Sequence, residues 1–179
     1  MRLHWSPLHD PPGQSAAVSV IDALVHAIRC QAPRAAVATL DSAVRTGIVL
    51  GFELDEVFAL LPARYRVLRS LMDPRVESGP ETLVGLMLRS LGCRYEPQVV
   101  IDGIGRVDFV VDGWLVLECD SVAHHGDASA YERDRYRDAQ LAARGYVTLR
   151  LTARVIMFEP ETAIAAIRGL LRHPRPISR

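Results

Sequence analysis

Apolar residues recur at helical spacing through the first part of the chain and at strand spacing further on. Val20, Ile21, Leu24, Val25 and Ile28 share one face of a helix running from about Val18 to Cys30, and Ser19 is placed to cap it. Pro33 opens a second helix through about Arg45, with Val37, Leu40 and Val44 on one face and Gly47 beyond its end. Two more helices are predicted over Leu54 to Leu61 and Arg64 to Leu71. Asp73 to Pro80 (D-P-R-V-E-S-G-P) reads as a linker by composition. The expected organisation is therefore an N-terminal helical region over 1–72 and a second domain over 78–174.

The pattern then changes. Glu81 to Leu91 predicts a helix closed by Gly92. Tyr95 to Ile101 and Arg106 to Val111 predict strands joined by a turn at Gly103-Ile104-Gly105. Asp112-Gly113 is the signature of a type I′ hairpin, and Trp114 to Cys119 is a third strand, apolar enough to be central. A polar helix is expected over Asp127 to Arg144, a fourth strand over Tyr146 to Leu151 and a short turn capped by Thr152. A last helix follows over Glu161 to Leu171. The order αβββαβα predicts the α+β class, with a mixed sheet behind a small helical region.

Composition narrows the function classes. A chain of 179 residues with 49% hydrophobic content suits one full domain and a small appendage. Net charge is zero, so bulk charge supplies no attraction to nucleic acid. All 21 basic residues are arginine, which leaves no lysine to act as a catalytic ammonium. Cys30, Cys93 and Cys119 form no C-x-x-C pair, so reduced thiols in a cytoplasmic protein are expected. The apolar runs are too short to span a bilayer, and no membrane association is expected.

Candidate chemistry concentrates in Asp108 to Asp120, D-F-V-V-D-G-W-L-V-L-E-C-D. An acid opens one apolar run, a turn follows, and a second run ends in Glu118-Cys119-Asp120. Adjacent antiparallel strands would bring Asp108 and Glu118 together at one end of a sheet, where carboxylates suit a divalent metal and phosphodiester hydrolysis. The alternative is a pair of solvated strand-end acids that discourage edge pairing.

The order of elements resembles the αβββαβ core of the PD-(D/E)xK nuclease superfamily. Residues 78–157 more closely resemble domain-of-unknown-function family 559, which is related to the very-short-patch-repair endonucleases. The resemblance is carried by Ser78-Gly79-Pro80-Glu81-Thr82, Gln98-Val99, Gly105-Arg106-Val107-Asp108, Leu117-Glu118-Cys119-Asp120, His125, Asp134-Arg135-x-Arg137-Asp138 and Gly145-Tyr146-x-x-Leu149-Arg150. It implies that Asp108 and Glu118 bind Mg²⁺ or Mn²⁺, with the Cys119 carbonyl a further ligand. It implies that Glu81 holds a metal-bound water and that Gln98 lies near the site. The lysine of D/E-x-K is replaced by Asp120, as is common in that family, and Ser121 stands where the family usually has glycine. His125 then becomes the candidate acid–base group and Arg137 the source of positive charge for phosphate oxygens. Asp120 would hold a second cation or orient His125.

Each assignment has a plainer alternative. Glu81 also fits a first-turn acid favoured by the helix dipole. The pair His124-His125 also fits a solvated loop, and Asp134, Arg137 and Asp138 also fit an exposed helix face with local ion pairs. Cys119 reads as a strand residue rather than a zinc ligand, and Trp114 as a hairpin anchor. Two functions follow. One is a metal-dependent DNA endonuclease in repair or defence, with DNA as partner and a homodimer as one working form. The other is a catalytically silent nuclease-fold module that binds nucleic acid or a regulatory protein partner.

Overall fold

A computed structural model describes residues 7–11, 13, 17–120 and 128–172, the side chains of 128–131 excepted. The chain divides into two compact units, 1–82 and 83–179. The first unit contains α1 (Val20–Cys30), α2 (Pro33–Arg45), α3 (Gly51–Leu60), a 3-10 turn (Ala63–Tyr65) and α4 (Arg66–Leu71). Most of the apolar faces expected for α1 and α2 lies in its interior, with Ile28, Val37 and Leu40 almost fully buried beside Val57 of α3, whereas Val20, in the first turn of α1, is exposed. Ser19 caps α1 as its sequence implied, its hydroxyl accepting the Asp22 N–H at 3.1 Å. Helix α3 begins three residues before the expected Leu54. The Glu53 carboxylate accepts the Leu50 N–H at 2.8 Å and supplies the partner that an extra first turn needs.

One buried polar contact in this unit was absent from the apolar pattern. Asp41, on α2 beside Leu40, accepts the Asp73 N–H at 3.2 Å and the Thr82 hydroxyl at 2.9 Å. Asp73 in turn binds Arg75 through both carboxylate oxygens, at 2.9 and 2.8 Å. These bonds tie the turn after α4 to α2 across more than thirty residues of chain. Asp41→Ala would take the acceptor from the buried Asp73 N–H and leave the Thr82 hydroxyl with only its longer contact to the Ser78 carbonyl at 3.4 Å. A loss of about 3 kcal/mol is expected in urea denaturation, with Asp41→Asn losing less because it keeps an acceptor.

Helix α5 (Gly79–Ser90) crosses the division between the units. The second unit continues with β1 (Tyr95–Ile101), β2 (Gly105–Val111), β3 (Leu115–Asp120), α6 (Ala128–Ala143), β4 (Val147–Thr152), α7 (Ala153–Phe158) and α8 (Pro160–Leu171). The four strands form one sheet in the order β1-β2-β3-β4. The first three are mutually antiparallel and β4 runs parallel to β3, giving the mixed α+β architecture that the sequence predicts. Asp112 and Gly113 have φ of 48° and 76°, and the Trp114 N–H bonds the Val111 carbonyl, which is the geometry of the expected type I′ turn. Leu115, Val116 and Leu117 are inaccessible, as a central strand requires. Tyr95 and Phe109 meet edge to face at 5.8 Å. Leu141 of α6 packs with Val107, Val116 and Ile101 and holds that helix on the sheet. Thr152 caps α7, its hydroxyl accepting the Val155 N–H, so the expected short turn is a six-residue helix. The three cysteines are free, and among the described residues no helix is long and apolar enough to cross a membrane.

Candidate active site

The pairing of β2 with β3 runs Val111↔Leu115, Val110↔Val116 and Phe109↔Leu117. One step further along the same register stand Asp108 and Glu118. Residues directly opposite in an antiparallel pair point to the same face, so the two carboxylates the sequence singled out are brought together. Regular pairing ends at that step, and the two side chains take over from the ladder. Glu118 Oε2 accepts the Asp108 N–H at 3.2 Å, and Asp108 Oδ2 accepts the Cys119 N–H at 2.7 Å. The contact that Cys119 makes to a site carboxylate is thus through its N–H.

The same row extends across the whole sheet. The β1–β2 pairs Pro97↔Phe109 and Val99↔Val107 bracket Gln98 and Asp108, which places Gln98 opposite Asp108. On the other side Glu118 pairs with Arg150. Gln98, Asp108, Glu118 and Arg150 therefore occupy equivalent positions on four successive strands. Gln98 has φ of 54°, a left-handed conformation that costs a non-glycine residue about 1 kcal/mol or more and tends to persist at functional positions.

Helix α6 covers this row. Arg137 and Leu141 lie four residues apart and share a face, so seating Leu141 in the core aims Arg137 at the strand ends. Its Nη2 lies 3.0 Å from Glu118 Oε1 and also donates to the Arg106 carbonyl. Asp138 receives Arg150 Nη2 at 2.9 Å and Arg135 at 3.0 Å, the latter a local i,i+3 pair of the kind expected for an exposed helix face. Arg150 Nη1 binds Asp120 at 3.1 Å. The Asp120 carboxylate is thus engaged with an arginine on the neighbouring strand.

Glu118 is 5% exposed, and burial pushes its carboxyl pKa upward. Arg137 and Arg150 pull it back, while the nearby Asp108 charge raises it further. Burial opposes the charge on Arg150, but Asp138, Asp120 and Glu118 together outweigh that and hold its guanidinium firmly protonated. Glu118 is therefore paired with an arginine from α6, and Asp120 and Asp138 share one from β4.

Glu81 has different surroundings. Its Oε1 accepts the Ser78 hydroxyl at 2.7 Å, its Oε2 accepts the Glu77 N–H at 2.8 Å, and its own N–H points to the Ser78 oxygen at 3.3 Å. These contacts belong to the turn that starts α5 and match the first-turn reading of this acid. His124, His125 and Ser121 lie outside the described residues. Among the described residues no group of three His, Cys, Asp or Glu is close enough to hold a metal, so Asp108 and Glu118 are a two-carboxylate set.

Arg150 is the site residue to which sequence reasoning gave no role. It shares a face with Thr148 and Thr152, opposite to that of the apolar Leu149 and Leu151, and a strand arginine in parity with Glu118 is the signal that points to it.

Residues 81–171 match the REase_MTES_1575 family. Among solved structures, the catalytic domain of the homing endonuclease I-Bth0305I is similar, with a TM-score of 0.44 and 20% identity over 50% of this chain and 90% of that one. No curated protein matches significantly. The match over half of the chain, on an α+β unit with a four-stranded mixed sheet, shows that the protein belongs to the REase_MTES_1575 family of restriction-endonuclease-like domains.

Proposed function

We propose that this protein is a metal-dependent endonuclease that hydrolyses DNA phosphodiester bonds. The observation that carries the reading is the placement of Asp108 and Glu118 opposite one another where β2 and β3 stop pairing, with a guanidinium on Glu118. The donor set fits a hard divalent cation. Both side chains offer oxygen, and Mg²⁺ or Mn²⁺ is commonly held by one or two carboxylates, with water and phosphate completing its shell. Glu118 Oε1 is buried without a well-directed hydrogen bond, and the Asp108 charge beside it calls for a cation. When bound, the metal supplies Lewis-acid polarisation of the phosphate and a more acidic water.

The remaining roles fall to residues of the chain. Arg137 provides positive charge beside the carboxylates for phosphate oxygens that gain charge in the transition state. Gln98, next to Asp108 in the row, is assigned to placing the nucleic-acid backbone. His125, seven residues beyond Glu118, is assigned the proton transfer that no lysine is present to perform. Asp120 acts through Arg150. Kinship with family 559 and the very-short-patch-repair endonucleases, and a place in repair or defence, rest on the motif resemblance above.

The test is incubation of supercoiled plasmid and single-stranded DNA with Mn²⁺ and the wild-type protein, alongside Glu118→Ala purified identically. Nicking or degradation by the wild type that is lost in the variant is expected. Equal cleavage by both would mark a contaminant, and absence of cleavage by either would favour the silent nucleic-acid-binding module.

A further inference from the structure

The two oxygens of Glu118 are committed differently. Oε2 accepts a backbone N–H from Asp108 and helps to end the β2–β3 ladder. Oε1 has no backbone partner, and what neutralises it is Arg137 Nη2 at 3.0 Å. A divalent ion that uses Glu118 as a ligand therefore competes with no backbone hydrogen bond at Oε1, whereas Oε2 already accepts the Asp108 N–H. Oε1 is the oxygen the guanidinium holds. Two cations cannot both sit at contact distance from one buried oxygen without strong mutual repulsion.

We propose that Arg137 is the resident counter-cation of the nuclease site, and that its ion pair with Glu118 and the binding of a divalent metal are mutually exclusive. The inference rests on the reading of Asp108 and Glu118 as the metal carboxylates. The structure supports exchange by side-chain rotation alone. Helix α6 is pinned independently, by Leu141 in the core and by Asp138 on Arg150, so it stays seated when Arg137 lets go. The Arg137 side chain is 26% exposed, which gives the guanidinium a path towards solvent. Its other contact, the Arg106 carbonyl, is neutral and places no charge requirement on where it goes. Metal entry thus frees a guanidinium next to the carboxylates. By linkage, the factor by which Arg137 opposes the metal equals the factor by which the metal opposes the Arg137–Glu118 pair.

The test uses the full chain and Mn²⁺ alone, with free Mn²⁺ followed by its paramagnetic resonance signal, so that no cleavage is required. Arg137→Gln is expected to bind Mn²⁺ about tenfold more tightly than wild type. Arg137→Lys keeps the charge and is expected to stay near wild type. Arg154→Gln removes an equal charge from an ion pair with Glu159 on the neighbouring α7 segment and controls for net charge. Arg137→Met serves as a second neutral variant should the glutamine protein fold poorly, circular dichroism reporting folding in each case. If Mn²⁺ binding is lost in Glu118→Gln but unchanged or weakened in both neutral Arg137 variants, the exclusion is wrong while the metal reading stands. If neither the wild type nor these variants binds Mn²⁺, the metal reading itself falls and the exclusion with it.

Discussion

Glu118→Gln is expected to lower DNA cleavage by at least about a thousandfold while raising the stability of the protein at neutral pH. The loss of rate corresponds to about 4 kcal/mol of transition-state stabilisation. It is expected because the substitution removes one of the two carboxylate charges proposed to hold the cation and replaces a charged oxygen ligand with a neutral amide. The gain in stability has a separate cause. Burial of Glu118 penalises its charged form by more than Arg137 and Arg150 recover, so its folded-state pKa lies above that of the unfolded chain. Glutamine keeps the shape and an Oε1 acceptor for the Asp108 N–H without that charge. A residue placed for chemistry at a cost to the fold behaves in this way, whereas a structural ion pair would lose stability on neutralisation.

The sign of the pH dependence follows from the same shift. Below the ordinary glutamate range the side chain is protonated in both folded and unfolded protein and contributes no difference. As pH rises through that range the unfolded chain releases its proton first, and the folded state is progressively disfavoured until its own raised pKa is passed. Urea midpoints of wild type and Glu118→Gln should therefore converge in acid and separate between the ordinary glutamate range and neutrality, the variant lying higher. Adding Mn²⁺ at neutral pH should raise the wild-type midpoint and leave the variant nearly unmoved, because only the wild type keeps the full site. A variant midpoint that falls below wild type at neutral pH would show Glu118 to be a net stabilising ion-pair partner instead.

How much of this was legible in the sequence depends on whether the signal was local. The sheet and the convergence of Asp108 on Glu118 follow from period-two alternation and from one turn, Asp112-Gly113, because a fixed hairpin fixes register and register fixes which side chains face each other. Gln98 could be placed near the site from its motif, but not its left-handed backbone, which depends on how β1 meets β2. The start of α3 was obscured because the Glu53 side chain, rather than the apolar spacing, nucleates its first turn. The arginines were the hardest to read. Whether Arg137 faces solvent or Glu118 depends on how α6 is rotated on the sheet, and Leu141 decides that through contacts far away in sequence. Arg150 carried no motif role, since its partners Asp120 and Asp138 lie 30 and 12 residues away on different elements. Asp41 likewise sits beside a core leucine and is explained only by a turn 32 residues later.

Arg150→Met is expected to destabilise the protein by about 2–3 kcal/mol and to lower cleavage without touching either proposed metal carboxylate. The side chain is 18% exposed and divides its guanidinium between Asp120 on β3 and Asp138 on α6, themselves 43% and 22% exposed. Removing one partner of a fully buried pair commonly costs 3–5 kcal/mol, and the partial exposure of these acids reduces that figure. Methionine fills much of the same volume, so the loss reports the stranded charges rather than a cavity. Two acids then face each other across the α6–β3 seam, and among the described residues only Arg135 is left to Asp138. The seam also sets where α6 holds Arg137 beside the site, so loosening it should misplace the charge proposed for the phosphate oxygens and reduce the turnover rate more than the apparent affinity for DNA, which comes mostly from phosphate contacts elsewhere. A double-mutant cycle separates these effects. Arg150→Met with Asp138→Asn should recover part of the lost stability, because the worse-solvated of the two stranded charges has been removed, and Arg150→Met with Asp120→Asn should recover less. Recovery of stability without recovery of rate would identify Arg150 as a positioning residue, since an uncharged seam can close again without restoring the bidentate arginine that sets the register of α6 on the strand ends.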